Sequence, residues 1–199
     1  MKQTIKSKVR RLVKNNKGPI MLNVGCGADY KEGWVNIDNN SDNNIERLDL
    51  NWDLRNPLPY KNDSVDFIFN EHFFEHLTAE EGQVCMKDFK RVLKQGGVMR
   101  IAMPDLEEAI KQYLDPKWKT RPFIKNFGLE FVETRAELLN MSFSWWGHKW
   151  LYDWEELERR LKQAGFTKVK RCKQRESNYE QLQKLESREE SLLIAEAQK

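Results

Sequence analysis

Residues 19–38, PIMLNVGCGADYKEGWVNID, decide how the rest of the chain is read. Pro19 to Val24 is a short apolar run suited to a buried parallel strand. It stops at Gly25-Cys26-Gly27, where a backbone with few side-chain atoms lets a ligand come close. Trp34 to Ile37 is a second run of this kind, closed by Asp38. An acid at the tip of the strand after a glycine turn is placed to accept hydrogen bonds from the two hydroxyls of a ribose. Only six residues separate Gly27 from Trp34, whereas a parallel crossover takes about a dozen or more. The helix that ordinarily follows a first strand is therefore expected to be missing or reduced to a turn, which removes one anion-binding helix N-terminus.

Downstream, strand and helix patterns alternate. Ile45 to Leu50 reads as a short strand ending in Asp49-Leu50, and Val65 to Asn70 as a buried one leading into EHFFEHL. Thr78 and Glu81 form a capping box for a helix with Cys85, Phe89, Val92 and Leu93 on one face, and Gly96-Gly97 is expected to stop it. Val98 to Met103 is a strand cut by Pro104, and Asp105 and Glu108 start a helix from Leu106 to Leu114. Residues 115–152 are irregular and aromatic, with helix expected over about Phe123 to Asn140. Asp153 and Glu156 cap a helix ended by Gly165-Phe166. Thr167 to Cys172 and Leu192 to Ala195 are expected to be an antiparallel strand pair, joined by a charged, exposed connection from Lys173 to Glu190. The sum is an α/β sheet with layers on both faces.

Composition sets the bounds. The chain has 199 residues, 33% charged and 39% hydrophobic, with seven Trp and ten Phe, which suits a single globular domain. A net charge of +3 is too small to argue for nucleic acid, although Lys2, Lys6, Lys8, Arg10, Arg11, Lys14 and Lys17 make residues 1–17 a basic arm. Residues 18–199 are expected to form one domain, with a cap insertion at about 115–152. The arm has no signal-peptide core and no stretch approaches the ~20 apolar residues of a membrane span, so a cytoplasmic location is expected. Cys26, Cys85 and Cys172 are far apart and suggest neither disulfides nor a zinc knuckle.

Taken in order, LNVGCG, NID, LDL, LPYKNDSVDFIFNEHFFEHL, KRVLKQGGVMRIAMPD and DWEELERRLKQAGF resemble the class I, Rossmann-like S-adenosylmethionine-dependent methyltransferases, in particular their short branch of predicted methyltransferases. The resemblance covers nearly everything after Lys17. It implies a seven-stranded sheet, parallel but for the last strand, with S-adenosylmethionine at the carboxyl ends of the strands. Gly25, Cys26 and Gly27 match the loop under the methionine part of the cofactor, and Asp38 matches the acid on the ribose. Asp49 and Leu50 match residues around the adenine, while Asn70 and Glu71 match the methionine end. A GxGxxG dinucleotide site would need glycine at position 30, which is Tyr30.

His72-Phe73-Phe74-Glu75-His76 fits HxxEH, a zinc-hydrolase pattern in which two histidines one helical turn apart hold the metal. Here the segment follows directly on a strand and Thr78 starts the helix only after His76, so no metal is expected. Methyl transfer needs the acceptor held in line with the sulfonium, and a base only where a hydroxyl or amine must lose a proton. His72, His76 and His148 are the catalytic candidates, His148 lying in the aromatic segment expected to fold over the acceptor. The acceptor is expected to be a small molecule or glycan. The alternatives are a non-catalytic S-adenosylmethionine-binding module and a zinc metallohydrolase on the HxxEH stretch.

Overall fold

The computed structural model describes residues 18–41 and 44–199, together with Ser7 and Val9. The charges of the basic arm lie outside the described residues; Val9, within it, is buried in the main core. Among the described residues, seven strands form one sheet: β1 (Met21–Val24), β2 (Val35–Asp38), β3 (Leu50–Asn51), β4 (Val65–Glu71), β5 (Leu93–Met103), β6 (Lys168–Arg171) and β7 (Leu193–Gln198). Their order is β3-β2-β1-β4-β5-β7-β6. β1 to β5 pair in parallel, and β7 runs antiparallel to both β5 and β6. The chain moves outward from β1 to β3 and then returns to β4 on the other side of β1. A crevice opens at that reversal, beyond the carboxyl ends of β1 and β4.

Local chemistry explains the helices. Both halves of the Thr78–Glu81 capping box form at the start of α1 (Ala79–Val92), whose Cys85, Met86, Phe89 and Val92 enter the core. Asp105 caps α2 (Leu106–Leu114) through Glu107 N, and Asp153 caps α5 (Trp154–Gln163) through Glu156 N. Between β1 and β2 the chain makes only turns, as the short spacing requires. Among the described residues, no helix is long and apolar enough to cross a membrane.

Five expectations need correction. Gly96-Gly97 does not end α1, which closes at Val92 with β5 starting at once; the pair instead shapes an irregularity in β5, where pairing jumps from Val65–Leu93 to Phe67–Val98. A Cβ on Gly97 would lie 3.0 Å from the Asp66 carbonyl, so a side chain there would press on the β4 backbone. β3 is a two-residue pairing at Leu50–Asn51, not a strand from Ile45, and β7 runs on to Gln198. The helix expected over 123–140 is two, α3 (Pro122–Asn126) and α4 (Arg135–Ser144), separated at Gly128 (φ 62°) and restarted by the Thr134 cap. These two helices and the turn at Trp118 enclose a small apolar cluster of their own, including Ile124, Val132 and Met141.

The fifth correction bears most on the site. The connection from 173 to 190 is not simply an exposed one: Leu182 and Glu186 are buried, and Leu182, Leu185 and Tyr179 cover a sheet face carrying Trp34, Phe69, Val98 and Ile194. The helices α1 and α5 pack on the opposite face. Arg100, fully buried in β5, pins this strap: its Nε donates to Glu186 (2.5 Å), one terminal nitrogen to Glu196 (2.7 Å) and to the Glu176 carbonyl, and the other to the Lys173 carbonyl. A guanidinium desolvated this completely is tolerable because two carboxylates and two carbonyls surround it, and removing one partner typically costs about 3–5 kcal/mol.

Candidate functional site

Two cavities meet at the crevice. The first, about 330 Å³, is a groove floored by Gly25, Cys26 and Gly27 and edged by Asn23, Asp38 and Glu71. The second, about 680 Å³, lies under the 115–152 segment and is walled by Phe123, Phe127, Met141 and Trp146. His72, His76 and Arg188 line both, so the two spaces share a boundary.

The glycine turn is held from below, with the Gly25 and Cys26 amides donating to the Ile37 carbonyl at 2.9 and 3.3 Å. Gly25 has φ 67°, and a Cβ there would fall 2.6 Å from the Phe73 ring. Only glycine fits both the backbone and the space, which keeps the floor of the groove thin. Gly27 (φ 52°) donates its amide to Asp38 at 2.7 Å, tying the loop to the acid at the tip of β2. The other Asp38 oxygen accepts from the Asn39 amide. Burial, reinforced by the Asp38 charge, pushes the Cys26 thiol up to about 12, so it lines the groove as a protonated thiol.

The remaining candidates are placed less directly. Asp49 accepts from the Asn36 amide and side chain and from the Tyr30 hydroxyl, bracing β2 from behind, and Leu50 is in the core. Asn70 is fully buried and donates to the Arg100 carbonyl at 3.3 Å. Asp49, Leu50 and Asn70 do not line the groove, whereas Glu71 does. The Glu71 carboxylate is engaged by the strap: the Ser187 amide and hydroxyl donate to one oxygen, the Arg188 amide and Ser191 hydroxyl to the other. Burial pushes its proton affinity up, but these bonds outweigh it and hold Glu71 below the usual carboxylate range.

The histidines converge although His148 is distant in sequence. His72 sits at the end of β4 with φ 52°, a conformation uncommon outside glycine. One of its ring nitrogens faces Ser191 at 3.2 Å and the other Glu75 at 3.1 Å. The His76 and His148 rings lie edge to face, 5.1 Å apart. Burial lowers the proton affinity of His76, and His148 adds to this against the opposing pull of Glu75. Residues 74–76 form a single tight turn, not an α-helix, so His72 and His76 do not share the helical face that the zinc-hydrolase arrangement needs.

Sequence reasoning missed Asn23, which lines the groove and donates to the Asp29 carbonyl and Asn36, and it missed Ser187, Arg188 and Ser191. Asn23 could have been found as a polar residue inside an apolar strand. The strap residues sit in a charged run with no periodicity to mark them.

Comparison with known proteins agrees with this geometry. A family model described as a methyltransferase domain matches residues 26–101, from the glycine turn into β5. A S-adenosylmethionine-dependent methyltransferase structure from Archaeoglobus fulgidus is 20% identical, covering 100% of this chain and 95% of its own, with a TM-score of 0.55. A structure from Thermotoga maritima described as a possible histamine N-methyltransferase is 14% identical over 97% of this chain and 88% of its own, with a TM-score of 0.54. A Haloferax volcanii methyltransferase in complex with the Trm112 activator is 14% identical over 100% of this chain and 91% of its own, at 0.51. No curated protein matches the chain. The structural likeness shows the fold, the Rossmann-like methyltransferase sheet with one antiparallel strand. The methyltransferase-domain match runs over residues 26–101, from the glycine turn into β5, and so takes in the groove side of the sheet.

Proposed function

We propose that the protein methylates a small-molecule or glycan-type acceptor bound in the larger cavity beneath residues 115–152, which act as a cap on the domain formed by residues 18–199. The observation that carries this reading is the boundary shared by the two cavities at His72, His76 and Arg188. Bound S-adenosylmethionine supplies an activated methyl group, so the protein's task is to align the acceptor and keep water away.

In this reading Asp38 takes the ribose hydroxyls, and Gly25, Cys26 and Gly27 run beneath the methionine end, where the clash awaiting any Cβ on Gly25 keeps the approach open. Asp49 and Leu50 support the adenine side from the start of β3, and Asn70 and Glu71 support the methionine end from β4. Phe123, Phe127 and Trp146 offer flat apolar walls of the kind that pack on rings, while Asp105, Glu108 and Arg188 supply polar contacts. His72, His76 and His148 form the polar corner between the cavities and handle the proton of an acceptor hydroxyl or amine. His76, kept neutral by burial, is suited to accept it. Three unpaired cysteines accord with a cytoplasmic setting, which belongs to the same proposal.

Calorimetry is expected to show S-adenosylmethionine binding that Asp38→Ala abolishes. Labelled methyl transfer to a pool of sugars, sugar phosphates and other metabolites identifies the acceptor class. Cofactor binding without labelling of any small molecule refutes the acceptor proposal.

A further inference from the structure

We propose that Glu75, His76 and His148 bind a divalent first-row transition ion, with zinc as the probe, at the corner where the two cavities meet. This departs from the sequence expectation of no metal, and it uses a different set of residues from the HxxEH pattern. One ligand atom from each residue lies within 4.8 Å of the others. A tetrahedral shell with bonds of about 2.1 Å sets its donors about 3.4 Å apart, so modest side-chain rotation closes the set.

Glu75 makes the strongest independent case. Its side chain is 1% exposed, and neither carboxylate oxygen accepts a hydrogen bond. His72 Nδ1 stands 3.1 Å from Oε1, close enough for charge attraction but without hydrogen-bond alignment. A buried carboxylate left in this condition costs several kcal/mol, and a cation on the His76 side relieves it.

Both histidines present lone pairs. His148 Nδ1 lies 2.8 Å from the Ser142 carbonyl, which can only accept, so that nitrogen carries the proton and Nε2 is free to ligate. Metal-binding histidines are commonly oriented in this way. Burial disfavours protonation of His76, which keeps it competent as a ligand. The scaffold is fixed through the main chain, because the Lys149 and Trp150 amides both donate to the Glu75 carbonyl, at 2.7 and 3.3 Å. The loop bearing His148 is thereby fastened to the turn that carries the other two ligands.

Two imidazoles and a carboxylate suit zinc, manganese or iron better than magnesium or calcium, which prefer all-oxygen shells. Three protein ligands leave at least one position open, facing the larger cavity lined by His76 and His148. Water or an acceptor oxygen completes the shell there. The identity of that oxygen rests on the proposed function; ion binding itself does not. With the ion in place, His76 and His148 act on the acceptor through the metal, and His72 becomes a positioning residue that orients Glu75.

The test uses the full chain, stripped with a chelator and titrated with zinc chloride by calorimetry, with elemental analysis for stoichiometry and cobalt substitution for the visible ligand-field bands. The expected result is one ion per chain. Glu75→Gln and His148→Ala should each weaken zinc by about 100-fold or more, and His72→Gln by about tenfold. S-adenosylmethionine binding is measured on the same stripped samples and reports both folding and the cofactor site, so loss of the methyltransferase reading is distinguishable from loss of the metal site. Stripped protein that binds cofactor but no zinc overturns the proposal. So does zinc held equally by wild type, Glu75→Gln and His148→Ala, which would place it away from this corner.

Discussion

Replacing Glu71 by glutamine changes one oxygen to an amide nitrogen and leaves the shape intact, yet the geometry gives it no good orientation. One carboxylate oxygen receives the Ser187 amide and hydroxyl, and the other receives the Arg188 amide and the Ser191 hydroxyl. Whichever way the new amide turns, its NH₂ faces a main-chain N–H that cannot reverse its role. That orphaned donor costs about 1–3 kcal/mol, and losing the charge reduces each surviving bond from about 1.5–3 to about 0.5–1.5 kcal/mol. The sum is about 3–5 kcal/mol against docking of the strap, or about 10²- to 4 × 10³-fold in its opening equilibrium at about 1.4 kcal/mol per decade. Hydrogen exchange followed by mass spectrometry should show this acceleration in peptides containing Ser187 and Arg188, with little change in β1 or β4. The pH dependence has a definite sign. Because the folded carboxyl is held below its usual range, its contribution is complete above the unfolded value of about 4.3 and disappears as pH falls through the folded value. Glu71→Gln should flatten that part of the acid profile. Unchanged exchange at 187–188 would refute the view that Glu71 holds the strap over the groove.

Two further predictions concern the glycine turn. Gly25→Ala should cost about 1–2 kcal/mol for the positive φ and about 1–3 more for collision with Phe73, whereas Gly27→Ala, which has open space for a Cβ, should cost only the first part. Urea unfolding separates them, and equal losses would show that the Phe73 contact is unimportant. Cys26, with its thiol pushed up to about 12 by burial and the Asp38 charge, should resist iodoacetamide in native protein at neutral pH and react only on unfolding. Rapid native alkylation would contradict its placement beneath the turn.

Burial explains why these sites respond so differently. Asp53, close to Arg55 at the surface, forms an ion pair of little consequence for stability. Arg100, Glu71 and Glu75 carry their charges out of water, and each therefore depends on what surrounds it. The strap meets two of these needs, those of Arg100 and Glu71, and in doing so replaces the helical layer on one face of the sheet with an irregular segment.

The apolar run ending in Gly25-Cys26-Gly27, the second run ending in Asp38, and the six-residue gap between turn and second strand were enough by themselves to fix a parallel sheet with a nucleotide-type crevice and a missing first helix. The capping box at Thr78 and the N-cap at Asp153 were equally legible. Such signals are local, arising from periodicity, glycine geometry and side chains that bond amides within a few residues. The strap and the meeting of Glu75 and His76 with His148 were decided only by tertiary structure. Arg100 and Glu186 stand 86 positions apart, and Glu71 and Ser191 120. A charged residue in a polar run carries no mark of its eventual partner, because the energy of a charge pair depends on a distance and a degree of burial that exist only once the chain has folded.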